Sequence, residues 1–314
     1  MNFLKGSLNK SIVFFFPGIA NYWNTITSCN IKSKPCNLGK YYLDFSSKAF
    51  YPGKFDDKGI PLYKYNNDFI YHPIVIAQYA LGLFELIEEY NFREKFLSQS
   101  EWFLNNAAKN NSGASWVLNI KVDEYDIKSA WISAMAQGEA ISVLTRAFLL
   151  TGDNKYMIAA ESALFAFSQE VKSGGILNEF KGIKIFEEYP AARPTAVLNG
   201  FIFSIFGLFD LMLLGEKKSG ELFIQSIQSL KKLLPYYDIN YWSSYDLYNY
   251  PDYFPATYTY HLIHVEQLKT LYILTGEEMF NNYSLKWKAY SEKTYYKIKV
   301  LLKKIYLETK NKIK

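Results

Sequence analysis

Cysteine is scarce in this chain. Its 314 residues include only Cys29 and Cys36, enough to close one small loop but not to staple a protein of this length, so a reducing, cytoplasmic compartment is expected. Long apolar runs are also missing. The run near the amino end, Ser11 to Ala20, reaches half of the roughly 20 residues a membrane span needs, and Pro17 interrupts it. It follows Lys5 and Lys10 in the manner of a signal peptide, but GIANYW (Gly18 to Trp23) offers no small-x-small cleavage site, so neither a span nor a cleaved leader is expected. Charge blocks are absent as well. Net charge is +5, from 35 basic and 30 acidic residues, and no block of like charge precedes the lysine-rich tail, so nucleic acid is not indicated. That tail, Lys297 to Lys314, alternates Lys with Ile, Val and Leu and reads as a last amphipathic helix with a solvated face.

What is present is apolar and aromatic. Hydrophobic residues make up 49% of the chain and mean hydropathy is −0.12, which describes a globular protein and excludes disorder, collagen and coiled coil. Aromatics reach 18%, with 27 Tyr, 24 Phe and 6 Trp. Tyrosine joins a flat apolar face to a hydroxyl, a combination suited to sugar rings as well as to cores.

From Pro73 onward the chain reads as helices. Apolar residues recur at three and four spacing over Ile74 to Tyr90, and further helices are expected over Phe92 to Ala108 and Ala130 to Leu150. Stops fall at Asn91, Gly152, Gly215 and Gly276, 61, 63 and 61 residues apart. A helix hairpin repeated four times describes a mainly α fold, an open α/α toroid with inner and outer helices. The inner helices, 74 to 90, 130 to 150, 194 to 214 and 257 to 275, are nearly free of Lys in their bodies. Two long loops precede inner helices. Residues 171 to 193 alternate on both sides of Lys181-Gly182, the pattern of a β-hairpin, and residues 235 to 256 are dense in tyrosine. Residues 1–60 read as an extended segment with a small sheet and 61–314 as the toroid domain.

The segments EEYPAARPTAVLNGFIFSIFGLFDL (from Glu187), WISAMAQGEAISVLTRAFLLTGD (from Trp131), HPIVIAQYALG (from His72) and TYHLIHVEQL (from Thr259) resemble the D-glucuronyl C5-epimerases. The resemblance spans roughly Lys40 to Ala289 and covers that family's carboxyl-terminal helical domain. It implies an isomerase that converts D-glucuronate to L-iduronate residues within a polysaccharide, needs no cofactor and works as a homodimer. Such chemistry removes a proton alpha to a carboxylate and returns one to the opposite face, so it needs two acid–base groups and donors for the charge that builds on the carboxylate.

In this motif the family's catalytic glutamate and tyrosine fall on Glu188 and Tyr189, and two further tyrosines with a role in catalysis on Tyr245 and Tyr260. Glu188 and Tyr260 are expected to be the opposed pair. Glu187, alternating to the other side of the strand, reads as a solvated acid. His261 and His264, three apart on one helix face, are candidates for touching the uronate or for lending a tyrosine positive charge. A metal is not expected there. Arg193 is a candidate carboxylate clamp, although the animal motif carries no arginine at that place. Asn199, Gln78, Tyr79 and Gln137 are candidate substrate contacts, with helix-to-helix ties as the competing role for buried glutamine. Arg146 reads as a partner of the helix dipole. Two other functions fit the same fold: a polysaccharide lyase that takes the same C5 proton and expels the C4 substituent, and a noncatalytic glycan-binding toroid.

Overall fold

In a computed structural model of the chain, residues 21–110, 113–128 and 130–313 are described; the signal-like run Ser11 to Ala20 lies outside them. They form two compact units, one of residues 35–232, the other of residues 21–34 with 233–313. The chain is mainly helical, with four antiparallel strand pairs among the described residues. No helix among these residues is long and apolar enough to cross a membrane, and both cysteines are free thiols.

The larger unit carries α1 (Pro73–Glu85), α2 (Arg93–Asn106), α3 (Ala134–Thr151), α4 (Asn154–Ser162), the short α5 (Phe165–Ser168) and α6 (Leu198–Leu213). Four hairpins decorate it: β1 with β2 (Tyr63–Tyr65, Asp68–Ile70), β3 with β4 (Ala108–Asn110, Gly113–Ser115), β5 with β6 (Val117–Leu118, Trp131–Ile132) and β7 with β8 (Leu177–Phe180, Ile183–Phe186). Helix α7 (Lys217–Tyr237) leads out of this unit, and the smaller unit holds α8 (Tyr258–Thr275), α9 (Glu278–Glu292) and α10 (Thr294–Ile313).

All four periodic stops are left-handed: φ is 51° at Asn91, 70° at Gly152, 91° at Gly215 and 73° at Gly276. Such a residue reverses a helix end while its amide closes the last turn. Helix starts move slightly from the expected positions. The first helix ends at Glu85 and unwinds through turns to Asn91, and the third begins at Ala134 because Ser133 caps it through the Ala136 amide. Residues 131–132 before that cap belong to a strand instead.

Helices α3 and α6 cross at contact distance. A Cβ on Gly207 would lie 2.2 Å from the Gly138 carbonyl oxygen, so only glycine permits this approach. Deeper along the same pair, Arg146 Nη1 meets Asp210 Oδ2 at 2.8 Å with both side chains wholly buried. Arg146 also donates to the carbonyls of Ser142 and Lys40, and the Tyr42 hydroxyl donates to Asp210 Oδ1. Arg146 is therefore not a helix-dipole partner. It is the centre of a buried network that pins Lys40 to Tyr42 onto the crossing, with the Tyr41 ring 5.3 Å from the guanidinium. The segment after it is not a strand either: residues Ser46–Phe50 form a 3-10 turn seated where α1 narrows at Gly82, whose Cβ would strike the Phe45 carbonyl.

Replacing Arg146 by Met leaves Asp210 buried without its partner, so equilibrium urea unfolding should show a loss of about 3–5 kcal/mol. The double variant Arg146→Met, Asp210→Leu should regain most of it. A single variant within 1 kcal/mol of wild type would show that the network does not hold the crossing.

Candidate active site

The hairpin before α6 forms as its sequence requires. Lys181 and Gly182 take φ of 51° and 74°, the paired left-handed residues of a two-residue turn whose twist matches the strands, and Phe180 pairs with Ile183 across it. Strand β8 then delivers Glu187, Glu188 and Tyr189 to the lead-in of α6.

Glu187 is fully buried, not solvated. Its carboxylate accepts from the Thr195 amide at 3.1 Å, the Thr195 hydroxyl at 2.5 Å and the Ala196 amide at 2.9 Å. Glu187 follows the last residue of β8, Phe186, and turns into the interior, where these donors replace water. Burial still pushes it up to about 7, against the lowering by Thr195 and Ala196.

Glu188 faces the other way and is 4% exposed. Its carboxyl lies against the first turn of α6, where Asn199 Nδ2 donates to Oε2 at 3.4 Å. A Cβ on Gly200 would fall 2.2 Å from that oxygen, so the glycine of VLNGF makes the space the glutamate of EEYP occupies. Burial pushes Glu188 up to about 8, countered by a hydrogen bond from Tyr189 and reinforced by the charge of Glu187. The half-buried Tyr189 ring packs on Tyr125 at 5.1 Å and Trp131 at 5.5 Å.

A second buried acid escaped the sequence reading. Glu139 on α3 is pushed up to about 8 by burial, with Gln78 and Lys48 opposing and the charge of Glu188 adding to the rise. Gln78 Nε2 donates to Glu139 Oε1 at 3.0 Å, and burial lowers the Lys48 ammonium to about 7. The available signal was a single acid in the otherwise uncharged run AMAQGEAISVL.

In the smaller unit the tyrosines also meet. Tyr260, in the first turn of α8 behind the Thr257 cap, sets its ring edge-on to Tyr245 at 5.0 Å and donates its hydroxyl to Asn24 Oδ1 at 3.2 Å. Both tyrosines are half-buried.

The remaining candidates do other work. His261 and His264 are fully buried, and the Nδ1 atoms of both approach the Ser243 hydroxyl, at 2.8 and 2.9 Å. His261 also stacks on Trp242 at 3.8 Å. Burial lowers His261 to about 3 and His264 well below its ordinary value, so both are neutral core residues that close the tyrosine-rich loop onto α8, and neither lends charge to a tyrosine. Among the described residues, no three of His, Cys, Asp or Glu stand together as a metal-holding group. Gln137 is equally buried. It accepts from the Trp116 amide and donates to the Ala114 carbonyl, a tie between strand and helix. Tyr79 is 5% exposed and packs on Phe55, and Gln78 is held by Glu139. Arg193 is exposed on the loop between Tyr189 and α6. The structure thus groups Glu188, Tyr189 and Asn199 in one unit and Tyr245 with Tyr260 in the other.

These are helical units whose hairpin and helix starts present acid–base residues. Residues 109–289 match the family model described as D-glucuronyl C5-epimerase C-terminus, and the chain belongs to that family. It is 33% identical over 218 residues to the D-glucuronyl C5-epimerase of Caenorhabditis elegans, covering 62% of this chain and 35% of the worm protein. It is 31% identical over 188 residues to an uncharacterized protein of Methanocaldococcus jannaschii, 57% of this chain and 59% of that one. The chain therefore matches about a third and somewhat over half of these relatives' lengths.

Because Glu188 keeps its proton in the fold up to about pH 8 while an unfolded glutamate loses it near 4.3, the native state binds protons that the unfolded state has released. Stability should fall as pH rises through this window. Urea midpoints should drop between pH 5 and 8, and Glu188→Gln, which carries no titrating group there, should show a shallower slope. Identical slopes would mean that burial does not raise this carboxyl.

Proposed function

We propose that this chain is a C5-epimerase that converts D-glucuronate to L-iduronate residues in a glycan, with Glu188 as the proton-accepting base. The observation that carries the reading is the placement of Glu188: a buried carboxyl with raised basicity, set by Gly200 and Asn199 at the start of α6. The C5 hydrogen of a uronate is a very weak acid, and a base gains proton affinity when its charged form is poorly solvated. In the carboxylate form of Glu188, whose share grows as pH rises toward 8, the C5–H bond breaks, its proton goes to Glu188, and its electron pair moves onto the substrate carboxylate. Reprotonation at the opposite face restores a saturated centre, so the oxidation state does not change and no redox partner is consumed.

Tyr260 is the proposed second acid–base group, with Tyr245 packed on its ring to hold it. Tyr189 keeps a hydrogen bond on Glu188 and steadies its orientation. Arg193, exposed on the loop that follows, is the proposed donor to the substrate carboxylate, where bidentate contact would stabilise the developing charge.

In heavy water, uronate oligosaccharides incubated with the protein should acquire deuterium at C5 without ultraviolet absorbance from unsaturated chain ends. Label accompanied by such ends would identify a lyase, and binding without label a noncatalytic protein. Glu188→Gln and Tyr260→Phe should each lower turnover by about two to four decades, the cost of a lost acid–base group. Glu187→Gln acts differently. It disturbs a buried acceptor of three hydrogen bonds, so it should lower the urea midpoint first, and turnover per folded molecule should stay near wild type. Loss of turnover in a fully folded Glu187→Gln protein would move the base to Glu187.

A further inference from the structure

Away from Glu188, the larger unit carries an open groove of about 600 Å³ between the β1–β2 hairpin, the last turn of α2 and strand β5. Its walls include the rings of Phe69, Tyr71 and Trp102 and the amides of Asn105, Asn106 and Asn119, and none of its described lining residues is charged. Phe69 and Tyr71 are 38% and 46% exposed, and Trp102 is half-buried. These rings are not spare core. The core lies beneath them, where Phe103 and Trp116 are wholly buried and meet edge-to-face at 5.3 Å.

The platform is held firmly. The Trp116 indole N–H donates to the Phe103 carbonyl at 2.9 Å, and the Trp116 amide to Gln137 Oε1 at 3.1 Å. Tyr71 donates its hydroxyl to Asp56 Oδ2 at 2.8 Å, and its ring lies 5.8 Å from that of Trp102. At the rim the Lys54 ammonium sits over the Phe69 ring at 4.2 Å. Flat apolar faces beside neutral amides suit a ligand with apolar ring faces and hydroxyl edges, and one rim cation suits an occasional carboxylate along it. That is the chemistry of a glycan containing acidic sugars. Packing links the groove wall to the candidate site: Leu118 of β5 pairs with Trp131 of β6, and the Trp131 ring packs on Tyr189 at 5.5 Å, next to Glu188.

We propose that this groove is a glycan subsite, which holds sugar units of the polymer remote from the uronate that reacts. The proposal rests on the epimerase reading only for the identity of the polymer. Its probe is the unsulfated polymer of alternating glucuronate and N-acetylglucosamine, with a tetrasaccharide of the same repeat as the short comparison. Trp102→Ala should weaken polymer binding in titration calorimetry by about tenfold, as loss of a central aromatic contact does. It should raise KM for the polymer in proportion and leave turnover of the tetrasaccharide within about twofold. Trp102→Phe, which keeps a flat ring, should restore most of the affinity. If Trp102→Ala does not fold by circular dichroism, the surface pair Asn105→Ala, Asn119→Ala serves in its place with the same expectation. Unchanged polymer affinity, no binding of polymer by the wild type, or equal losses on polymer and tetrasaccharide would each overturn the subsite. Polymer bound through Trp102 with no C5 exchange in the wild type would uphold the groove and remove the epimerase reading.

Discussion

The site depends on the way one buried carboxylate, that of Glu187, closes the hairpin onto the next helix. Its acceptors take up the Thr195 and Ala196 amides and the Thr195 hydroxyl, groups that precede α6 and have no helical partners of their own. A buried carboxylate without such donors would be too costly to retain. With them it fixes the distance between strand end and helix start. Glu187 and Glu188 follow the last residue of β8, Phe186; the first turns to Thr195 and Ala196, and the second lies at the α6 terminus, where the missing Cβ of Gly200 makes room for it. One glutamate is held by the protein beside the next, which is the proposed base.

The buried polar groups divide by how fully they are answered. Arg146 and Asp210 meet face to face at 2.8 Å and are joined by Tyr42 and two backbone carbonyls, an arrangement that answers both side chains and serves the α3–α6 crossing. Glu188 and Glu139 are answered less completely. Each is pushed up to about 8, and each raises the other or is raised by a neighbouring acid. A site that must accept a proton cannot saturate its acceptor with fixed donors, because every such donor lowers its proton affinity. The same fold therefore contains a saturated pair that holds structure and an unsaturated acid with proton affinity to spare.

Much of this was legible in the sequence where a local rule decides conformation. The stops at Asn91, Gly152, Gly215 and Gly276 all adopt the left-handed geometry that ends helices, and Lys181-Gly182 forms the expected hairpin turn. What was not legible depends on partners far along the chain. Glu187 looked solvated because its donors lie eight and nine residues away, beyond a proline loop. Arg146 looked like a dipole partner because Asp210, its true partner, is 64 residues away. Lys48 and Glu139 sit in runs of apolar and small residues, where only their isolation marks them. The two histidines share one helix face as their spacing implies, but that face meets Trp242 and Ser243, and no sequence spacing carries that information.

That last point bears on which group does what. A tyrosine that is to remove a proton needs a cation beside it to stabilise its phenolate. His261 and His264 were the nearest cation candidates in sequence, yet burial lowers both and leaves them neutral at physiological pH. They do not supply that charge. Tyr260 already donates its hydroxyl proton to an acceptor, Asn24, the posture of a donor. Glu188, with its affinity for protons raised by burial, has the opposite character. The proposed division is therefore one of direction as well as of face: Glu188 is suited to taking the proton from glucuronate, and Tyr260 to giving one back. In the reverse reaction Tyr260 would have to accept a proton without help from the histidines. Donation in the proposed forward direction leaves the same phenolate that must accept a proton in reverse, so the pair meets one electrostatic demand in both directions, and the ratio of forward to reverse rates is set by the equilibrium between the epimers.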